Sequence, residues 1–515
     1  MNNWQLICVG IWACWLSCSG WSQNVPGETV HWNEFRGPNG CGVFESTSVP
    51  LQFDISEAAW SVALPAGHSS PVLSDNLVIV TGLQDQRLVT IALNKSDGSV
   101  AWQAVAPDVQ LEPTHQAGGP ASSTPCVDDG HVYVYFGSYG LLCYNLQGNQ
   151  QWAKPIPTPK SLYGMSTSPV VYEDKLLLVL DDDANLPDSQ VSRSQILALD
   201  KRTGAEIWQT ARPLHRSSWS TPTVWKHDAG TELLVLGNNW FRSYDLADGS
   251  EKWSVSGFSR ETIARPIVAN GRAVAAASMI GGVADEQPDP EPFWQAILHF
   301  DANQDGDLER NELVPPFTFP FRPELPVDHP GFGLPMPSDP EKRNARIDRM
   351  FASIDKNQDG RWTRDEFLGN MSFDRGKPNL IAVRPGGTGN VGKSHVAWSA
   401  HKGLPEIPSP LSYRGRIYMV SDGGVLTSVD EESGDVIFRK RLPAVGHYRS
   451  SPVATNGQIV LISEPGMLTV VKASDDFEVV HQVDFQQPTS ATPALDDSTI
   501  YIRSGNRLYA FRQDD

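Results

Sequence analysis

A short phrase ending in proline before apolar residues recurs along this chain, and it limits the chain's possible folds more than any other feature. It reads HSSPVL, SSTPCV, STSPVV, WSTPTV, ARPIV, IPSPLS, RSSPVA and SATPAL, with prolines at Pro71, Pro125, Pro169, Pro222, Pro266, Pro410, Pro452 and Pro493. An alternating strand follows each phrase, such as NLVIVTG, HVYVYFG, KLLLVLD, RIYMVSD or QIVLISE. Then come a third strand, a polar turn and a large residue, as in ILALDKRTGAEIW and SYDLADGSEKW. Four short strands with period-two patterning make one small twisted sheet. Such a sheet has two apolar faces and cannot bury either alone, so copies must stack.

The turn chemistry agrees. Asp97-Gly98, Thr203-Gly204 and Asp248-Gly249 supply the positive φ of a tight hairpin. The closing large residues are Trp102, Trp152, Trp208, Trp253, Trp398 and Phe438, with only Val480 in the seventh unit. They read as packing between neighbouring sheets rather than as cofactor contacts. The eighth unit ends without a fourth strand, while AAWSVAL at residues 58–64 holds a strand with no unit before it. That strand is expected to complete the last blade and leave no open edge. The expected fold is an all-β, eight-bladed β-propeller of four-stranded blades, with seven blades as the alternative.

One blade is interrupted. Pro266 and Trp398 lie about 130 residues apart, whereas Pro222 and Trp253 lie about 30 apart, so blade five carries an insertion. Inside it stand two twelve-residue loops, DANQDGDLERNE and DKNQDGRWTRDE. Calcium needs several hard oxygen donors around a sharp turn. The first loop offers Asp301, Asn303, Asp305, the carbonyl of Asp307 and a closing Glu312, with Gly306 at the turn. The second offers Asp355, Asn357, Asp359, the carbonyl of Arg361 and Glu366, with Gly360 at the turn. Leu308 and Trp362 occupy matching places where apolar residues can pair across two loops, and helical segments flank both. The two resemble an EF-hand pair, which implies two calcium sites, read here as mainly structural.

The repeat ALDKRTGAEIW is similar to the PQQ-binding-like, quinoprotein-type propeller repeat, and the resemblance covers essentially the whole mature chain. That family includes the outer-membrane-assembly scaffold lipoprotein. WNEFRGPNGCG at residues 32–42 resembles the opening of its exported bacterial members. The family mixes dehydrogenases with non-enzymatic scaffolds, so activity must be argued from the site. The dehydrogenases often carry a vicinal cysteine pair beside the quinone and a haem-binding CxxCH, and this chain has neither. PQQ is therefore not expected. The reading leans away from an enzyme and towards a binding or scaffolding propeller for a protein, peptide or glycan. A PQQ-dependent oxidoreductase is the alternative.

The first strand of each blade lines the central channel, so residues just before each proline phrase should gather at one mouth. These are His68, His115, Tyr163, His215, Glu261, Arg265, Glu406, His447, Tyr448 and Arg449, a set that could bind a polar or anionic ligand. Exposed aromatics such as Trp219 and Trp240 would serve glycan recognition. The run Asp181-Asp182-Asp183 reads as a solvated loop of an enlarged blade three.

Sixty acidic residues against 41 basic ones give a net charge of -19, which repels nucleic acid and anionic membrane surfaces. ICVGIWACWLSC at residues 7–18 reads as a signal peptide cleaved after Ser22, with lipid attachment at Cys18 the alternative. The chain is thus expected to be exported, to the periplasm or the cell surface, with no transmembrane segment. Cys41, Cys126 and Cys143 read as free thiols. The expected division is signal peptide 1–22, N-terminal extension 23–57, propeller 58–284, insertion 285–375 and propeller again 376–515.

Overall fold

Among the described residues, the first strand completes the last sheet. Trp60–Ala63 lies antiparallel to Arg507–Arg512, with Trp60 opposite Ala510 and Ala63 opposite Arg507. Thr499–Ser504 and Ala494–Leu495 supply the remaining strands of this eighth blade. Opening the ring therefore means tearing a sheet rather than parting two surfaces. The structure, a computed structural model, describes residues 31–114, 118–161, 163–182, 193–212, 218–237, 239–259, 262–278, 291–320, 323, 325–329, 332–333, 336–370 and 378–513. The expected signal peptide lies outside them. Among the described residues, no helix is long and apolar enough to cross a membrane.

Blade one runs Val72–Leu73, Leu77–Gln84, Arg87–Asn94 and Val100–Val105, each strand antiparallel to the last. Blades two to seven repeat the pattern from Cys126, Val170, Thr223, Ile267, Leu411 and Val453. The fold is thus an eight-bladed β-propeller of four-stranded blades, and seven blades are excluded. Among the described residues, blade four alone takes a fifth short strand, Gly389–Asn390, parallel to its outer edge. Middle strands such as Lys175–Leu180 are buried beyond their first residue because both faces meet a neighbouring blade. Outermost strands such as Val100–Val105 are half exposed.

The closing tryptophans show how blades lock. Trp60, Trp102, Trp152, Trp208 and Trp398 each reach into the hairpin turn of the following blade. Their indole N–H groups donate to the carbonyls of Lys95, Leu146, Lys201, Leu246 and Glu431 at 2.8 to 3.2 Å. The rings lie flat on Gly98, Gly148, Gly204, Gly249 and Gly434, where any Cβ would fall 2.4 to 2.8 Å from an indole carbon. Trp253 departs from the pattern and donates to Glu232 of its own blade at 2.8 Å, since Gly389–Asn390 covers its strand.

The proline phrase has a second job. The residue before proline is held extended, and its amide points at the neighbouring blade. Ser70 N–H donates to Thr124 Oγ1, Thr124 to Ser168 Oγ and Ser168 to Thr221 Oγ1, each at 3.0 Å. Arg265 donates to Ser409 Oγ, Ser409 to Ser451 Oγ, Ser451 to Thr492 Oγ1 and Thr492 to Ser70 Oγ, at 2.9 to 3.0 Å. A belt of hydroxyls runs round the channel. Its one interruption is blade five, where the place is held by Arg265.

The insertion leaves blade five between Arg272–Ala277 and Asn379–Val383, which pair with Ala277 opposite Asn379. It holds helices α1 (Glu291–Ile297), α2 (Pro340–Ile354) and α3 (Arg364–Asn370). Asp339 caps α2 by accepting the Lys342 amide, with Pro340 in the first turn. Phe293, Trp294, Ile297, Leu308, Phe351, Trp362 and Phe367 belong to a core made wholly of insertion residues.

Candidate functional site

Residues 32–46 cross the inside of the wheel, bonded to the first strands of blade after blade. Leu73 of blade one donates to Trp32 O at 2.8 Å, and Asn33 exchanges two bonds with Val127 of blade two at 2.7 and 3.0 Å. Asn39 does the same with Val224 of blade four at 2.9 and 3.1 Å. Arg36 Nη2 donates to Pro410 O of blade six at 2.8 Å, and Gly42 and Phe44 bond Ala454 of blade seven. Arg265, one of the mouth residues expected from sequence, is wholly buried and turned onto this segment. Its Nη1 donates to Phe35 O at 2.7 Å, its Nε to Thr223 Oγ1 at 3.0 Å, and its Nη2 lies 3.4 Å from Glu34 Oε1.

Glycine makes the crossing possible. Gly40 has φ 65°, and a Cβ there would fall 2.4 Å from the Arg265 guanidinium. Burial pushes the Glu34 carboxyl up, with the Arg265 charge opposing it. Burial, then the charge of Arg265, pulls Arg36 down to about 9. Sequence marked this stretch only as a family-like opening. That its Asn33 and Asn39 pair with the first strands of blades two and four is a tertiary fact.

The remaining mouth residues form two groups. His68 is half-buried, 3.5 Å from Ser122 Oγ, and its pKa is lowered by burial and then by the charges of Arg503 and Arg449. Arg449 pairs with Glu464 at 3.0 Å. In the second group the exposed His447 pairs with Asp422, which raises its pKa. Glu406 accepts the Asp422 amide at 3.0 Å and is pushed up to about 7 by burial. Tyr448 is buried, its hydroxyl donating to Ala444 O at 2.9 Å. Tyr163 lies edge-on to Trp219 with centroids 5.3 Å apart. His115, His215 and Glu261 lie outside the described residues.

Three carboxylates escaped the sequence reading. Asp422 and Glu464 both follow the second strand of their blades, in VSD and ISE, so position in the repeat was the available signal. Glu112 has no such mark. It is 6% exposed, and burial pushes it up to about 7, with the Met165 amide opposing.

Two expectations are corrected. The acidic run of blade three is not solvated: Asp181 pairs with Arg212 at 2.7 Å and Asp182 with Arg193 at 2.8 Å, both aspartates buried. Asp183 lies outside the described residues. Trp219 is not an exposed aromatic, being 4% exposed with its indole N–H on Gly164 O at 2.8 Å.

In the insertion the two loops lie side by side. Leu308 and Trp362 face each other in a two-stranded ribbon, with Glu309 opposite Arg361. Gly306 and Gly360 turn the loops at φ 90° and 84°. Asp301 accepts the Gly306 amide at 2.9 Å, and Asp355 accepts that of Gly360 at 3.0 Å. Glu312 accepts the Ala302 amide at 2.9 Å, and Glu366 that of Lys356 at 3.0 Å. Asn303 and Asn357 donate to Asp305 and Asp359 at 3.2 and 2.9 Å. Burial and then the nearby Asp305 push the Asp307 carboxyl up. Carboxylate oxygens of Asp355, Asp359 and Glu366 lie within 4.8 Å of one another. Arg361 turns its side chain onto the first loop, towards Asp305, Asp307 and Glu309.

Comparison with known proteins follows the fold. A family model described as outer membrane protein assembly factor BamB matches residues 54–186, 192–295 and 389–515. The BamB of Alkalilimnicola ehrlichii is 26% identical over 219 residues, 42% of this chain and 50% of that protein, so the chain spans half the length of that relative. Among solved structures, a europium-containing methanol dehydrogenase superposes with TM-score 0.52 at 10% identity, covering 95% of this chain and 99% of that one. The quinohemoprotein alcohol dehydrogenase of Comamonas testosteroni gives TM-score 0.52 at 13% identity, covering 94% and 80%. At such identities the two dehydrogenases show a shared fold and nothing of activity. The matched segments take up more than half of the chain and fall on the blades on both sides of the insertion, and by that match it belongs to the BamB-type family of PQQ-repeat β-propellers.

Proposed function

We propose that this protein is an exported binding or scaffolding propeller, acting in the periplasm or at the cell surface on a protein, peptide or glycan partner. Family membership supports the reading, and the segment from Trp32 to Phe44 is the observation that carries it. A quinone at the centre of the wheel would need room that Glu34, Phe35 and Arg36 take up. Cys41, Cys126 and Cys143 offer no vicinal pair to lie beside one. The residues present do not fit PQQ. What remains available is the rim and the mouth, where Arg449 and His447 stand against Glu464 and Asp422, with His68 and Glu406 beside them, and present charged and polar groups to a polar partner.

Calcium belongs to the same proposal. The donor set is all oxygen, at the spacing a hard divalent cation requires, and it would hold one ion in each loop through Asp301, Asn303, Asp305, Asp307 and Glu312, and through Asp355, Asn357, Asp359, Arg361 and Glu366. The ions would neutralise crowded carboxylates and stiffen the insertion. Incubation of the purified chain with PQQ and calcium tests the reading against its rival. No quinone absorption and no dye-coupled alcohol oxidation are expected, and either signal would overturn the scaffold assignment.

A further inference from the structure

We propose that Arg361 is a built-in competitor for calcium, a cation of the second loop that occupies a side-chain ligand of the first, Asp305. This rests on the calcium reading above and adds its regulation. Position seven of such a loop contributes only its backbone carbonyl, so the side chain at that place is free to point elsewhere. Here it crosses the ribbon. Arg361 Nη1 lies 3.3 Å from Asp305 Oδ2 and 3.9 Å from Asp307 Oδ2, while Nη2 lies 3.2 Å from Glu309 Oε1. The pairing of Glu309 with Arg361 across the ribbon fixes the reach, so the contact follows from register rather than from a chance rotamer.

The consequence follows from charge. DANQDGDLERNE holds five carboxylates and one arginine, whereas DKNQDGRWTRDE holds four carboxylates and three cations. On composition alone the first loop should attract calcium far more strongly. The guanidinium works against that ranking, because it holds Asp305, which an incoming ion needs. Calcium entering the first loop must share or displace Arg361. Calcium entering the second loop binds the Arg361 carbonyl and anchors the competitor in place. The two sites are thereby linked, and the insertion acquires a weaker first-loop site than its acidity implies.

Calorimetric titration of calcium into the whole mature chain tests this. Glu366→Gln removes the closing ligand of the second loop and isolates the first. Adding Arg361→Gln to that background is expected to tighten first-loop binding about twofold to fivefold, the scale of a half-exposed ion pair. Arg361→Lys, which keeps the charge and loses the fork, should fall between. Equal or weaker binding in the Arg361→Gln, Glu366→Gln protein overturns the competitor role while leaving calcium binding intact. No calcium uptake by the wild-type chain overturns the calcium reading, and this inference with it.

Discussion

The amide of Thr492 in blade eight donates to Ser70 Oγ in blade one at 2.9 Å, and with it the belt of hydroxyls passes from the end of the chain back to its beginning. Ser70 is 2% exposed, so no water can take over the bond. Ser70→Ala is therefore expected to leave a buried amide without an acceptor and to cost about 1–3 kcal/mol. Ser70→Thr, which restores a hydroxyl, should recover most of it. Urea denaturation of the three proteins followed by tryptophan fluorescence measures the difference.

Trp60 closes the ring a second time, at its outer edge. Its indole donates to Lys95 O at 2.9 Å and lies on Gly98. Trp60→Ala empties a largely buried site and should cost about 3–5 kcal/mol. Trp60→Phe keeps the ring contact, loses one hydrogen bond, and should cost much less. Thermal melting distinguishes them, and equal losses would argue against the docked indole.

Gly40 permits the N-terminal segment to pass Arg265. Gly40→Ala forces a Cβ to within 2.4 Å of that guanidinium at a φ of 65°. The expected result is a segment partly released from the channel while the blades stay folded. Limited proteolysis checks this: new cleavage between residues 31 and 57 should appear in the variant, with the remaining fragment still rich in sheet.

Ala277 and Asn379 face each other across blade five. Replacing residues 279–377 with a short glycine-rich turn should therefore leave a folded propeller, because the strands on either side are already paired and the insertion has its own core. Far-ultraviolet circular dichroism should retain the sheet signal, and loss of it would show that the insertion supports the wheel.

Glu112 makes stability depend on pH. Burial pushes its carboxyl from 4.5 up to about 7, so the folded state keeps a proton that the unfolded chain releases earlier. Stability from this group is present below pH 4.5 and falls as pH rises through 7, by up to about 3 kcal/mol. Glu112→Gln cannot ionise. Its melting temperature is expected to rise relative to wild type between pH 5 and pH 8, and a constant difference would refute the buried-carboxyl account.

What the sequence determined by itself is the architecture. Period-two strands, glycine turns and a closing aromatic are local features, and a unit with two apolar faces has no stable form but stacking, so eight proline phrases and an orphan first strand led directly to a closed wheel. The two acidic twelve-residue loops stood out for the same reason, as a local pattern, and the structure sets them side by side at Leu308 and Trp362. Tertiary structure alone decided the rest. Asn33 and Val127, or Arg36 and Pro410, meet from distant parts of the chain, and nothing local in residues 32–46 announces a segment bonded to blade after blade. The serine or threonine before seven of the eight prolines was visible, but its bond runs to the next blade, so its purpose appeared only when the blades were in place. Arg265 was assigned to the mouth by its position in the repeat. It turned inward because the belt lacks a hydroxyl there and the N-terminal segment supplies Glu34 and a carbonyl to meet its charge.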